Sequence, residues 1–249
     1  MRQNGLLLIV AGVALGVGGC RTDRVSRPSS ATDARTSQSP QAEAPEPSRA
    51  RVSADRATPD AATDARPRLV CFGDSLTAGL GADSGQSYPD YLQADLDAMG
   101  YKYRVLNEGI SGNTTKDGVE RLNSIIALKP AVVVVEFGGN DGLRGLPIEN
   151  SRANLDRIVS TLKSSGTKVV LAGITLPPDY GPDYIKQFNA TYTLLAKKYQ
   201  VPMLPFLLDG VFGVEGMMQA DRTHATASGN KIVAKNVLPL VLPLLKKQR

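Results

Sequence analysis

The chain carries one histidine, His224, three residues after an aspartate in Asp221-Arg222-Thr223-His224. An imidazole is the side chain whose ordinary pKa suits proton transfer near neutral pH, and this chain has only one. Far upstream, Gly73-Asp74-Ser75-Leu76 follows the apolar run Leu69-Val70-Cys71-Phe72, which reads as a buried strand. A serine where a strand turns a corner, with an Asp-x-x-His toward the C-terminus, supplies the parts of nucleophilic acyl transfer. The histidine takes the hydroxyl proton, and the aspartate fixes its tautomer and steadies its positive charge. Two other readings of residues 73–79 stand beside this one. In the first, Asp74 or Ser75 merely caps the helix that follows. In the second, the loop binds the phosphate of a flavin, which leaves His224 without a task.

Two further segments offer hydrogen-bond donors. In Asn107-Glu108-Gly109-Ile110-Ser111-Gly112-Asn113-Thr114, Gly112 can bring a backbone N–H close to a substrate oxygen, although glycine also serves simply to permit a turn. Gly138-Gly139-Asn140-Asp141 comes directly after a strand containing four consecutive valines. There the Asn140 amide is placed to donate to a developing oxyanion, whereas Asp141 reads as an Asx-turn that closes the loop.

Residues of these types act together only if the fold converges them, and the pattern of elements predicts that it does. Short β-rich runs at 69–72, 103–106, 131–137, 168–174 and 201–206 alternate with helical spacing at 88–99, 114–128, 150–164 and 183–199. A last helix is expected to begin near Thr226. Alternation of this kind predicts an α/β domain with a parallel sheet, helices on both faces and right-handed crossovers. Ligands bind at the carboxyl ends of such strands, where the candidate segments lie. The apolar stretch Val237 to Leu245 is interrupted by Pro239 and Pro243, and is read as the last helix packing on the sheet, not as a membrane contact.

The N-terminal third has a different character. Arg2 precedes a stretch of glycine and apolar residues from Gly5 to Gly19, shorter than a membrane-spanning helix requires, so residues 1–20 are expected to be a signal peptide. Val17-Gly18-Gly19-Cys20 resembles a bacterial lipobox, which makes Cys20 the expected lipidation site; the alternative is a plain secretory peptide. Arg21 is not the aspartate that marks inner-membrane retention, so the expected place is the outer membrane, facing the periplasm. A soluble periplasmic or secreted form is the alternative. Residues 21–67 contain no Leu, Ile, Met or aromatic residue, and their eight arginines nearly balance seven acids. A segment so poor in apolar surface is expected to be a disordered tether, spanning about 40 Å as a flexible coil.

Residues 68–249 are then the single folded domain. Its 20 basic and 17 acidic side chains leave a net charge of +3, with no basic cluster among aromatics, which argues against nucleic acid as a partner. Cys71, the sole cysteine besides Cys20, is expected to be a small buried apolar residue.

The four segments, in this order, resemble the serine, glycine, asparagine and histidine blocks of the SGNH (GDSL) hydrolases, matching Ser75, Gly112, Asn140 and His224. Gly138 to Gly145, Leu176 to Gly181 and Val201 to Phe206 resemble the bacterial periplasmic thioesterase, lysophospholipase and arylesterase branch. The resemblance implies a three-layer α/β/α sandwich with a five-stranded parallel sheet, flavodoxin-like in plan. It implies Ser75 as nucleophile, His224 as base and Asp221 as orienting acid. The oxyanion donors would be the N–H groups of Ser75 and Gly112 and the Asn140 amide. No metal and no cofactor are implied, and the expected partners are small esters, thioesters or lysophospholipids, with the protein a monomer held at a membrane by its lipid anchor. Loop 142–147 is expected to line the acyl site. Ala225 stands where the family commonly has proline, which is expected to loosen the His224 loop. Deacetylation of an envelope polysaccharide and a non-catalytic binding lipoprotein are the alternative functions.

Overall fold

A computed structural model describes residues 64–247. The predicted signal peptide, Cys20 and the tether as far as residue 63 lie outside the described residues. Five strands, β1 (Arg68–Gly73), β2 (Arg104–Gly109), β3 (Val132–Glu136), β4 (Lys168–Ala172) and β5 (Met203–Leu204), form one parallel sheet in the order β2-β1-β3-β4-β5. Seven helices accompany it: α1 (Ser75–Ala78), α2 (Tyr88–Ala98), α3 (Thr115–Ala127), α4 (Gly139–Leu143), α5 (Ile148–Ser164), α6 (Pro182–Tyr199) and α7 (Ala227–Val241). α2 packs with α7, and α5 packs with both α3 and α6, so that helices flank the sheet.

The local sequence explains these elements. All four valines of β3 are buried, as are Leu69 to Phe72 of β1, because central parallel strands are covered on both faces. Ser87 and Asp90 form a capping box at the start of α2, and Thr114 and Asp117 form one at the start of α3. Thr226 caps α7 by accepting the Gly229 N–H at 3.2 Å. Each cap fixes a helix entry close to a strand end, where the chemistry must be held.

Several boundaries differ from the sequence expectation. β5 is two residues long where six were expected, since Pro202 and Pro205 flank it and neither has an N–H for the ladder. α1 was expected only in the reading that has Asp74 or Ser75 as a cap, and α4 was not foreseen, because four or five residues are too few to show helical periodicity. The final stretch of the assigned tether belongs to the fold. Asp64 pairs with Arg66 at 2.6 Å and with Arg104 of β2 at 3.1 Å. The apolar C-terminal stretch does pack inward: Val237 and Val241 are fully buried, and Pro239 lies within the last turns of α7. Among the described residues no helix is long and apolar enough to cross a membrane.

The corner after β3 depends on Gly138. Its φ is +122°, and a Cβ there would stand 2.3 Å from the hydroxyl of Tyr192, which donates to the Phe137 carbonyl at 2.9 Å. Gly138→Ala is therefore expected to cost about 3 kcal/mol of stability, from backbone strain and overpacking together, read as a lowered urea midpoint with an unchanged slope.

Candidate active site

The position of Ser75 is set at the end of β1. A side chain at Gly73 would meet Thr77 Oγ1 at 2.2 Å and Glu136 Oε2 at 2.5 Å, so α1 can close onto the sheet only over a glycine. Asp74 caps α1 by accepting the Leu76 N–H at 3.0 Å, as the blander reading of this segment expected. The cap and the chemistry coexist, because Ser75 stands on the first turn of the same helix. Its Oγ lies 2.8 Å from His224 Nε2, and His224 Nδ1 lies 2.7 Å from Asp221 Oδ2. An ionised carboxylate can only accept, which puts the ring proton on Nδ1 and leaves Nε2 free to receive the serine proton. The other Asp221 oxygen accepts the backbone N–H groups of Thr223 and His224 at 2.9 and 3.0 Å. The hydrogen bond from His224, followed by these backbone bonds, lowers the Asp221 pKa from 3.8 to about 2.

The histidine loop is braced on both sides. Gln219 N–H donates to the His224 carbonyl at 2.8 Å and Thr226 N–H to Met217 at 2.9 Å, around a Met218–Ala225 bridge. The Gln219 amide reaches the carbonyls of Leu80 and Ala225 at 2.7 and 2.9 Å. Ala225 is buried within this ladder, which holds the loop without a proline.

Of the three expected oxyanion donors, two are unengaged. Among the described residues neither the Ser75 N–H nor the Gly112 N–H has a protein acceptor. Gly112 adopts φ +79° on the loop after β2, and Arg144 donates to its carbonyl at 2.9 Å. Asn140 is not at a strand tip but on α4. Its amide donates to Asp74 Oδ2 at 3.1 Å and to the Asn113 carbonyl at 2.9 Å, so the Gly112 loop, α4 and the Ser75 turn are tied through one side chain.

Asp141 does not close an Asx-turn. It is buried and accepts from Thr115 N–H, Thr115 Oγ1 and Ser151 Oγ at 2.9, 2.5 and 2.9 Å, pinning α4 to α3 and α5. The Asn-Asp pair resembles a turn in sequence; three donors from distant elements decide otherwise. Arg121 was also missed. It lies 4.8 Å over the Phe72 ring and donates to the carbonyls of Gly73 and Glu108 at 3.2 and 3.3 Å. It thereby closes the ends of β1 and β2.

Beside Ser75 and His224 opens a cavity of about 150 Å³. Leu143, Ile174, Leu176, Phe206, Leu208 and Phe212 form much of its wall. From loop 142–147 only Leu143 reaches it, since Gly142 is buried against Leu176. Gly112 is not part of the lining.

Residues 71–232 match the GDSL-like lipase/acylhydrolase family. The chain belongs to this family. Esterase TesA of Pseudomonas aeruginosa is 44% identical to it over 178 residues, which span 71% of this chain and 89% of that protein. The thioesterase 1/protease 1/lysophospholipase L1 of Escherichia coli K12 is 35% identical over 178 residues, spanning 70% and 84%. A crystal structure of TesA matches the fold with a TM-score of 0.69 at 44% identity, covering 72% of this chain and 99% of that one. The α/β/α plan with five parallel strands is that of the SGNH hydrolases, and this GDSL family member is a carboxylic ester hydrolase.

Two aspartates at the site respond to pH in opposite senses. Burial pushes the Asp74 pKa up to about 6 from 3.8. Between those values the folded chain holds a proton that the unfolded chain has released, so stability rises as pH falls through that window. Asp221, held at about 2, stabilises the fold above its unfolded value of 3.8 and loses that contribution only as pH falls below it. From about pH 7 to about pH 5, the Tm of the wild type should therefore rise relative to that of Asp74→Asn, measured by calorimetry.

Proposed function

We propose that the chain hydrolyses carboxylic esters and thioesters by a Ser-His-Asp acyl-enzyme mechanism, acting on aryl and short acyl esters and on lysophospholipids. The observation that carries this reading is the unbroken hydrogen-bonded line from Asp221 through His224 to Ser75, beside an apolar cavity. Ser75 Oγ attacks the carbonyl carbon while His224 Nε2 takes its proton. The tetrahedral oxyanion is met by the free N–H groups of Ser75 and Gly112 and by the Asn140 amide, which exchanges an internal bond for the substrate's oxygen. Collapse of the intermediate breaks the bond to the leaving alcohol or thiol, which takes the proton from His224. Water, deprotonated by the same imidazole, then attacks the acyl-serine and releases the acid.

The apolar wall supports an acyl chain as the group bound beside Ser75. Recognition of an acetylated glycan would call for convergent polar groups instead. The names of the Pseudomonas and Escherichia coli relatives, esterase and thioesterase/lysophospholipase, support the same substrate classes. The apolar leader ending in Cys20 further supports, as part of this proposal, a lipid anchor in the cell envelope facing the periplasm. Labelled palmitate should enter the full chain and not its Cys20→Ser variant.

Hydrolysis of p-nitrophenyl esters from acetyl to palmitoyl tests the mechanism directly. Ser75→Ala or His224→Ala should lose at least about a thousandfold in kcat, and a fluorophosphonate should label the wild type and not Ser75→Ala. Retention of most turnover in either variant overturns the assignment. Asn140→Ala should lower kcat by about a hundredfold or more with a smaller change in KM, since its amide acts on the transition state.

A further inference from the structure

Behind the Ser75 turn lies a second acidic group that the acyl-transfer steps leave unused. Glu136 ends β3, is wholly buried, and extends its side chain beneath α1. Its Oε2 accepts the Thr77 hydroxyl at 2.8 Å and the Asp74 N–H at 3.3 Å, while Oε1 has no partner among the described residues. The Asp74 N–H on Glu136 Oε2 makes these two buried carboxyl groups neighbours. No Lys or Arg among the described residues forms an ion pair with either. Two neighbouring carboxyls, both buried and without a cation, cannot both ionise at neutral pH.

The surroundings decide which of the two keeps the proton. Asp74 accepts the Leu76 N–H and the Asn140 amide, and it faces His224, so its anion is stabilised from three directions. Glu136 faces the phenols of Tyr88 on α2 and Tyr192 on α6, which burial keeps neutral, together with the Asp74 carboxyl. Burial and the neighbouring Asp74 charge both raise the affinity of Glu136 for a proton.

We propose that Glu136 is a positioning residue of the hydrolase, held as a neutral acid that donates its proton to Asp74 and so keeps Asp74 as the anion that anchors Asn140 and faces His224. Glu136 never touches substrate. It acts through Asp74, whose Oδ2 fixes the Asn140 amide at the oxyanion site and whose charge steadies the imidazolium formed when Ser75 attacks. A carboxylate at 136 would instead repel Asp74 and leave an unpaired charge beneath the nucleophile.

This inference rests on the Ser75–His224 reading, and the two fail separately. Glu136→Gln keeps the volume and the donor and removes only the ability to ionise. It should retain kcat to within about threefold, whereas Glu136→Leu, which offers no donor, should lose at least about tenfold in kcat with KM little changed, the worth of one hydrogen bond to a charged group. The acid limb of the pH–kcat profile should shift upward in Glu136→Leu, where Asp74 loses its donor, and stay in place in Glu136→Gln. The protonation state is read independently of turnover by infrared spectroscopy of the Ser75→Ala protein at about pH 8. A buried carboxylic-acid carbonyl band should be present. Absence of that band, a Glu136→Gln variant as impaired as Glu136→Leu, or a Glu136→Leu variant with wild-type kcat overturns the proposal. Inactivity of Ser75→Ala bears on the nucleophile alone.

Discussion

Parallel pairing around β1 is the constraint on which the site depends. Gly73 is in register with Gly109 of β2 on one side and with Glu136 of β3 on the other, so three strands end level. The loops that leave this row must meet above it, bringing Ser75, Gly112 and Asn140 together without any of them being near another in sequence. A slip of one residue in either ladder would turn every side chain of that strand to the opposite face. The same row is where side chains are missing: a Cβ at Gly109 would come 2.1 Å from the Ala78 nitrogen, as one at Gly73 would meet Thr77 and Glu136. α1 sits directly on the sheet because two adjacent strands end in glycine.

The site uses carboxyl groups in two environments, and their roles follow from them. Asp221 lies on an exposed loop with three N–H donors around it, which hold it as an anion beside the imidazole. Asp74 and Glu136 lie under the serine, where solvent does not reach and hydrogen bonds must be distributed among neighbours. Environments that push titrating groups apart are what allow one site to hold fixed charge and neutral acid together. Asp141 adds a third use, a purely mechanical tie between α3, α4 and α5.

The residues of the Asp221–His224–Ser75 line were legible in the sequence because their types are rare or their spacing is local: a single histidine, an Asp-x-x-His, a serine after a buried run. The strands were legible for a related reason, since four buried valines leave little choice of structure. What the sequence concealed was burial of charge. Glu136 and Asp141 look like any surface acid or turn former until Thr77, Thr115 and Ser151 arrive from other elements as donors. α4 escaped notice and α1 entered only through its cap because a single turn has no period, and β5 was overestimated because prolines trimmed its ladder. The arginine braces at Arg121 and Arg144 carry no local signature at all, since each acts on a carbonyl contributed by another element, a strand end for Arg121 and the Gly112 loop for Arg144.

The hydrogen bond between Ser75 and His224 joins residues 149 positions apart, whereas His224 and Asp221 are separated by three. Asp221 and His224 are therefore a local pair, whereas their meeting with Ser75 is long-range, as is the packing of α7 on α2. A chain that leaves the ribosome N-terminus first carries Ser75 for 149 residues before His224 follows. The complete hydrogen-bonded line from Asp221 to Ser75 therefore arrives only with the C-terminal part of the fold.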